Sequence, residues 1–253
     1  MAAAGNAEYT QIGYDGFEDY DYVHPKFEYG CETRHFDFPE TQTAKIDDSE
    51  SHSGWYSFKL DAGESSEMVR PIEVPVIPGS AIDEDVSKKL TQDDDLGVFS
   101  PSAGTYVLSA WVKESRTGIV TEYTDAKVQV EFTDQNNATT STDIQASGLL
   151  IESWQRVNGT FEVPVGTKSI SIKIIGATDV ETWFDDLRVH PEKATMKTFA
   201  YDATTLRNMA AMDENNYATF YEYDAEGSLI RVKKETAKGI ITIQENKTHI
   251  NKK

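Results

Sequence analysis

The stretch Gly104-Thr105-Tyr106-Val107-Leu108-Ser109-Ala110-Trp111-Val112-Lys113 alternates with a period of two. Tyr106, Leu108, Ala110 and Val112 fall on one face; Val107, Ser109, Trp111 and Lys113 fall on the other. That is the pattern of a half-buried antiparallel strand. The same step recurs in Tyr56, Phe58 and Leu60, in Val128, Val130 and Phe132, and in Ile170, Ile172 and Ile174. Between residues 55 and 189 about eight such short segments, including 118–123 and Val180 to Val189, are separated by Gly, Pro and Asn turns, and none reads as a ten-residue helix. Short strands at this spacing predict an all-β fold, a two-sheet antiparallel jelly-roll sandwich.

The regions between these strands are read from their polarity. Residues 1–14 are expected to be a flexible lead-in, and residues 20–38 an irregular, aromatic-rich cover. Pro71, Pro75 and Pro78 keep Met68 to Val76 extended but unsuited to a central strand. Residues 79–98, with Asp83-Glu84-Asp85 and Asp93-Asp94-Asp95, read as a solvated loop, and the Asn-, Thr- and Ser-rich residues 133–147 as another.

Charge divides the chain. Residues 1–190 carry 34 acidic and 14 basic residues, whereas residues 191–253 carry 9 and 10. The step places a boundary near Pro191, giving a sandwich over 15–190 and a smaller unit over 191–253. In the second part Tyr201-Asp202 and Tyr223-Asp224 repeat at a spacing of 22. The second pair opens a hairpin through Ala225-Glu226-Gly227-Ser228, and Ile240 to Ile243 reads as the last strand. Leu206, Met209 and Ala210 share a helical face within 196–212, but the repeat favours strands there.

The net charge of −19 excludes a nucleic acid partner, which needs a basic footprint. No run of about 18 apolar residues is present, so no membrane span is expected. Cys31 is the only cysteine, which leaves neither a disulfide within the chain nor a thiolate zinc site. The first six residues lack the basic and apolar regions of a signal peptide. His24, His35, His52, His190 and His249 are scattered, and no nucleophile or phosphate-loop motif occurs. No enzyme is expected. His52 is expected to make a local hydrogen bond in the turn before Trp55.

A sugar site needs flat aromatic surface beside polar groups that can pair with hydroxyls. The candidates are Trp111, Tyr123, Trp55 and Trp183, with Arg116, Glu114 and Gln129 as polar partners; each aromatic also fits a packing role. Trp154 is assigned to the core. Asp185 shares parity with Leu187 and Val189, so it is expected to point inward and Asp186 outward. A buried carboxylate must be paired or metal-bound.

Phe17-Glu18-Asp19, Ser51 to Ser57, the strand at 106–113, Trp154 to Phe161 and Thr182-Trp183-Phe184-Asp185-Asp186-Leu187-Arg188-Val189 follow one another in an order that resembles the carbohydrate-binding-module jelly rolls, within the wider galactose-binding-like sandwiches. The resemblance covers about residues 15–190. It implies a structural calcium ion tying the N-terminal segment to the last strand through Glu18 and Asp185, with backbone carbonyls near Lys45 and Ser51. A turn-capping Asp185, or one paired with Arg156 or Arg188, is the alternative. Residues 199–253 resemble the tyrosine-aspartate (YD) repeats of RHS-type surface and secreted proteins of Bacteroidetes-type bacteria. That resemblance implies a module of a larger exported protein, at the cell surface or secreted, whose partners are other modules of that protein or surface molecules. Two function classes follow: a non-catalytic, calcium-stabilised module with capacity to bind a glycan, or a structural or adhesive module with no sugar ligand. The second implies an exposed apolar patch or an unpaired sheet edge in residues 196–245.

Overall fold

The computed structural model describes residues 2–18, 36, 45–73, 99–202 and 204–246. The covering segment, apart from Phe36, and the acidic loop at 79–98 lie outside the described residues, as does Cys31. The first strands are β1 (Ala2–Gly5), β2 (Gly13–Asp15), β3 (Ile46–Asp47), β4 (Ser57–Leu60) and β5 (Ser65–Glu73). The middle of the chain forms β6 (Gly104–Glu114), β7 (Lys127–Asp134), β8 (Thr139–Ile151), β9 (Trp154–Val163), β10 (Thr167–Ile175) and β11 (Thr182–Pro191). The rest forms β12 (Thr195–Tyr201), β13 (Asn208–Met212), β14 (Ala218–Tyr223), β15 (Leu229–Thr236) and β16 (Gly239–Glu245). All pairings among the described residues are antiparallel. No helix among the described residues is long and apolar enough to cross a membrane.

The sandwich is one hydrogen-bonded path, β3-β4-β11-β6-β9-β8-β7-β10-β5, folded over on itself. Strand β8 is the fold line. Its Thr139–Gln145 part pairs with β7, and Ala146 and Ser147 pair with β9. The β6 face carrying Tyr106, Leu108, Ala110 and Val112 meets Val128, Val130 and Phe132 of β7 and Ile170, Ile172 and Ile174 of β10 in the main core. Tyr106 stacks on Phe161 with ring centroids 5.7 Å apart. β5, which contains Pro71, lies at the sheet edge, as its one missing N–H favours.

The structure departs from the sequence reading in three places. Residues 139–147 form a strand because β8 borrows its register from two neighbours, so it needs no apolar alternation of its own. The segment at 118–123 is not a strand. The N-terminal residues are not a free lead-in: β1 pairs with β12 and β2 with β11.

The six-stranded sheet, β1-β12-β13-β14-β15-β16, packs on the outer face of the sandwich as a third layer. The Asp134, Asp213 and Asp224 hairpins use one device. Each aspartate carboxylate accepts the N–H groups two and four residues on, and the residue at the fourth turn position (Asn137, Asn216 or Gly227) has positive φ. Part of the acid excess is therefore turn chemistry.

Arg188 fastens the third layer. Its buried guanidinium donates to Ser109 Oγ at 2.9 Å, to the Asp213 carbonyl at 2.7 Å and to the Glu214 carbonyl at 2.7 Å. Burial pulls it down to about 10, against the opposing pull of Asp186 and Asp213. Arg188→Leu removes these three hydrogen bonds and leaves Ser109 Oγ buried without this donor, so urea unfolding is expected to show a loss of about 3 kcal/mol. A loss within about 0.5 kcal/mol, the usual range for a surface change, would contradict this role.

Candidate functional site

The site begins at a break in β11. Thr182–Phe184 pair with β4 on one edge, and Leu187–Val189 pair with β2. On the other edge the register to β6 shifts between Asp185, opposite Trp111, and Arg188, opposite Ser109. Asp186 at the bulge has φ +49. The bulge defeats simple parity: both aspartates are fully buried, whereas Asp186 was expected to face out.

The Ser51-to-Gly54 turn fits into this break. Asp185 Oδ2 accepts the His52 and Ser53 N–H groups at 2.8 and 3.1 Å, and Oδ1 accepts the Asp186 N–H at 2.7 Å. Asp185 therefore caps a turn and pairs with neither arginine by hydrogen bond. Asp186 Oδ1 accepts Ser53 Oγ at 2.9 Å and Tyr14 Oη at 3.1 Å. Glu18 clamps the far end of the turn by accepting the Trp55 and Tyr56 N–H groups at 2.9 and 3.0 Å. Gly54 is obligatory there: its φ is +69, and a Cβ would lie 2.1 Å from Glu18 Oε1.

His52 reaches from this turn across the seam. Nδ1 lies 2.8 Å from Asp186 Oδ2, and Nε2 lies 3.0 Å from Glu235 Oε1 on β15. The other Glu235 oxygen accepts the Ala218 N–H at 3.0 Å. The imidazole stacks on Trp111, with centroids 4.2 Å apart and planes 14° from parallel. Burial alone would lower the His52 pKa, but the Glu235 charge and the hydrogen bonds to Asp186 and Glu235 raise it to about 9. The expected local hydrogen bond is instead a bridge between layers. Ser-His-Ser-Gly marks the turn, but only the third dimension supplies Glu235.

Trp111 is not a platform for a sugar in this arrangement. It has no exposed surface, donates Nε1–H to the Asn216 carbonyl at 2.8 Å, and meets Tyr217 edge-on. With Ile151, Trp154 and Trp183 it forms a second apolar cluster on the outer face of the sandwich, against which Tyr217 and Ile240 pack. Trp154 thus packs in this outer cluster and not in the main core. Trp55 is 56% exposed and donates Nε1–H to Asp202 at 3.1 Å, apart from the other candidates.

The other three candidates do come together. Tyr123, Arg116 and Trp183 line one cleft of about 320 Å³ with Glu50, Lys113 and Glu114. Tyr123 is buried with its hydroxyl donating to the Ser153 carbonyl at 2.7 Å, and Trp183, also buried, donates Nε1–H to Asp47 at 3.1 Å while Lys59 covers its ring at 5.2 Å. Arg116 is held by buried Glu114, by Asp125 and by Asp179. Gln129 lies elsewhere, bonded to Asp143 at 2.8 Å. A second cleft of about 630 Å³ opens between the sandwich and the six-stranded sheet, and Glu50 and Lys113 line both.

For calcium, the chemistry of the donors is suitable. Glu18 and Asp185 offer hard carboxylate oxygens. Burial, then the charges of Asp186 and Glu18, push Asp185 well above the usual carboxylate range, a penalty that a cation would relieve. No cluster of three or more His, Cys, Asp or Glu side chains suited to a metal occurs among the described residues, so side chains would supply a minority of the ligands.

His52 gives a pH signature. A folded pKa of about 9 against 6.5 stabilises the protein below pH 6.5, and the contribution is lost as pH rises through 9. At about 1.4 kcal/mol per unit this is a loss of about 3 kcal/mol. Asp185 carries the same sign from a window that begins at ordinary carboxylate pKa values, so the difference between wild type and His52→Gln isolates the histidine. Denaturation between pH 6 and 10 is expected to show a fall in the wild type that His52→Gln flattens; parallel curves would contradict it.

No protein-family model matches the chain, and no curated protein matches it in sequence. Among solved structures it is similar to "Family 16 Carbohydrate Binding Module-2", at 16% identity and TM-score 0.35 over 57% of this chain and 82% of that one. A family 22 carbohydrate-binding module of Clostridium thermocellum Xyn10B, described for ligand binding in its cleft, matches at 9% identity and TM-score 0.40 over 71% and 93% of the two chains. TmCBM61, solved in complex with β-1,4-galactotriose, matches at 13% identity and TM-score 0.29 over 76% and 88%. At these TM-scores the likenesses establish no family, and the functional reading rests on the clefts and the seam.

Proposed function

We propose that the chain is a non-catalytic, calcium-stabilised glycan-binding module of an exported protein. The observation that carries this reading is the convergence of Arg116, Tyr123 and Trp183 on one open cleft beside the Glu50–Lys113 ion pair, whose atoms are 2.6 Å apart. A guanidinium fixed by three carboxylates offers oriented donors to sugar hydroxyls at little entropic cost, and Tyr123 and Trp183 supply apolar lining. Glu18 and Asp185 are the proposed side-chain ligands of the calcium ion, tying the segment before β3 to β11.

A structural or adhesive role without a sugar ligand is the second reading. It is favoured by Ile241 and Ile243, exposed by 51% and 54% on β16, the edge strand of the six-stranded sheet.

The two readings separate in one titration series. Wild-type protein is expected to bind a neutral oligosaccharide in a glycan panel, and Arg116→Ala to lose at least about tenfold in affinity, the worth of a charged hydrogen bond. Calcium is expected to raise the melting midpoint relative to chelator, with the gain lost in Glu18→Gln. Failure to bind any glycan in the calcium-loaded state would move the structural reading ahead.

A further inference from the structure

The larger cleft has a different construction from the smaller one. Trp154 and Ile151 of the sandwich and Phe220 and Ile240 of the six-stranded sheet line it together, with Ile240 packed against the sandwich cluster. Its volume of about 630 Å³ falls within the range of small-molecule sites. The rim carries two ion pairs, Glu50–Lys113 on the sandwich side and Glu222–Lys233 on the far side. Glu222 is further tied to Arg231 at 2.8 Å. The buried His52–Glu235 bridge closes the floor.

Those features select a class of ligand. The lysines of the rim are each met by a carboxylate, so an anionic ligand would have to compete with Glu50 for Lys113 or with Glu222 for Lys233. A neutral, hydroxyl-rich ligand adds hydrogen bonds to carboxylate lone pairs and ammonium protons that the pairs leave available, while its apolar faces rest on Trp154 and Phe220. Glu50 and Lys113 line both clefts, so the pair stands between them as a shared rim.

We infer that the two clefts form a single groove for a neutral linear oligosaccharide, and that the six-stranded sheet supplies the far half of the binding site. The inference rests on the glycan reading of the nearer cleft. It gives the third layer a role beyond covering Trp111: without β14–β16 the groove would end at the Glu50–Lys113 pair.

The test is calorimetric titration of the full chain with a ladder of linear, neutral β-1,4-linked oligosaccharides from disaccharide to hexasaccharide. Wild-type affinity is expected to climb with length. Thr242→Trp, which fills the far half from an exposed position on β16, is expected to weaken the hexasaccharide about tenfold and leave the shortest binder unchanged. Lys233→Ala, a rim change that leaves the groove open, is expected to give the same pattern in milder form and guards against misfolding of the tryptophan variant. Arg116→Ala is expected to weaken every length. A wild-type ladder that is flat in length, or far-half variants that fold normally and leave the whole ladder unchanged, would overturn the composite groove while the glycan reading stands. Absence of binding at every length would overturn both.

Discussion

Asp185 and Asp186 are adjacent, fully buried carboxylates at a point where β11 loses its ladder on both edges. Buried acids of this kind must be met by donors, and most of the surrounding structure consists of those donors. The Ser51–Gly54 turn gives Asp185 two backbone N–H groups and Asp186 a hydroxyl and an imidazole. β2 brings Tyr14, whose hydroxyl burial and the Asp186 charge hold well above its ordinary pKa, so it stays a donor. The bulge thus organises the N-terminal strand, the turn and the last sandwich strand around one spot.

The third layer attaches to the same spot. His52 bridges the Asp186 and Glu235 carboxylates, Arg188 takes the carbonyls of the Asp213 hairpin, and Asn216 donates to the Asp186 carbonyl at 3.1 Å. Around this polar line the seam is apolar, with Tyr217 and Ile240 packed against Trp111 and Trp154, and with Tyr14 packed against Ala200, Ala210, Met212 and Ala218 of the six-stranded sheet. Hydrophobic contact gives the seam area, and the charged line fixes its register. The larger cleft depends on that register, since it is lined from both layers beside the Glu50–Lys113 pair.

Strand alternation was legible in sequence wherever one face is buried and the other is not. It located β6, β7 and β10 and put the main-core residues on the correct faces. It was blind in β8, whose neighbours hold its register, and in β1, whose residues Ala2 to Gly5 carry no pattern yet pair with β12. Parity showed that Trp111 lies on the outer face of the sandwich but not what covers that face. Asp186 was misplaced because a two-residue bulge cannot be read from alternation. Among site residues, Arg116, Tyr123 and Trp183 share a cleft, whereas His52 and Glu235, 183 residues apart, become partners only through the docking of two layers. The three aspartate-capped hairpins were legible in principle, since an Asp followed three residues later by Asn or Gly is a turn signature.

Native-state hydrogen exchange tests most directly whether the bulge, turn and third layer are one cooperative unit. The informative amides are those of His52 and Ser53, bonded to Asp185, and of Ala218, bonded to Glu235. If the seam joins the layers, these amides and the central amides of β6 open with the same free energy, that of global unfolding. Opening of Ala218 at a free energy several kcal/mol below that of β6 would mean that the six-stranded sheet detaches on its own, and the central role given to the buried charged line would be wrong.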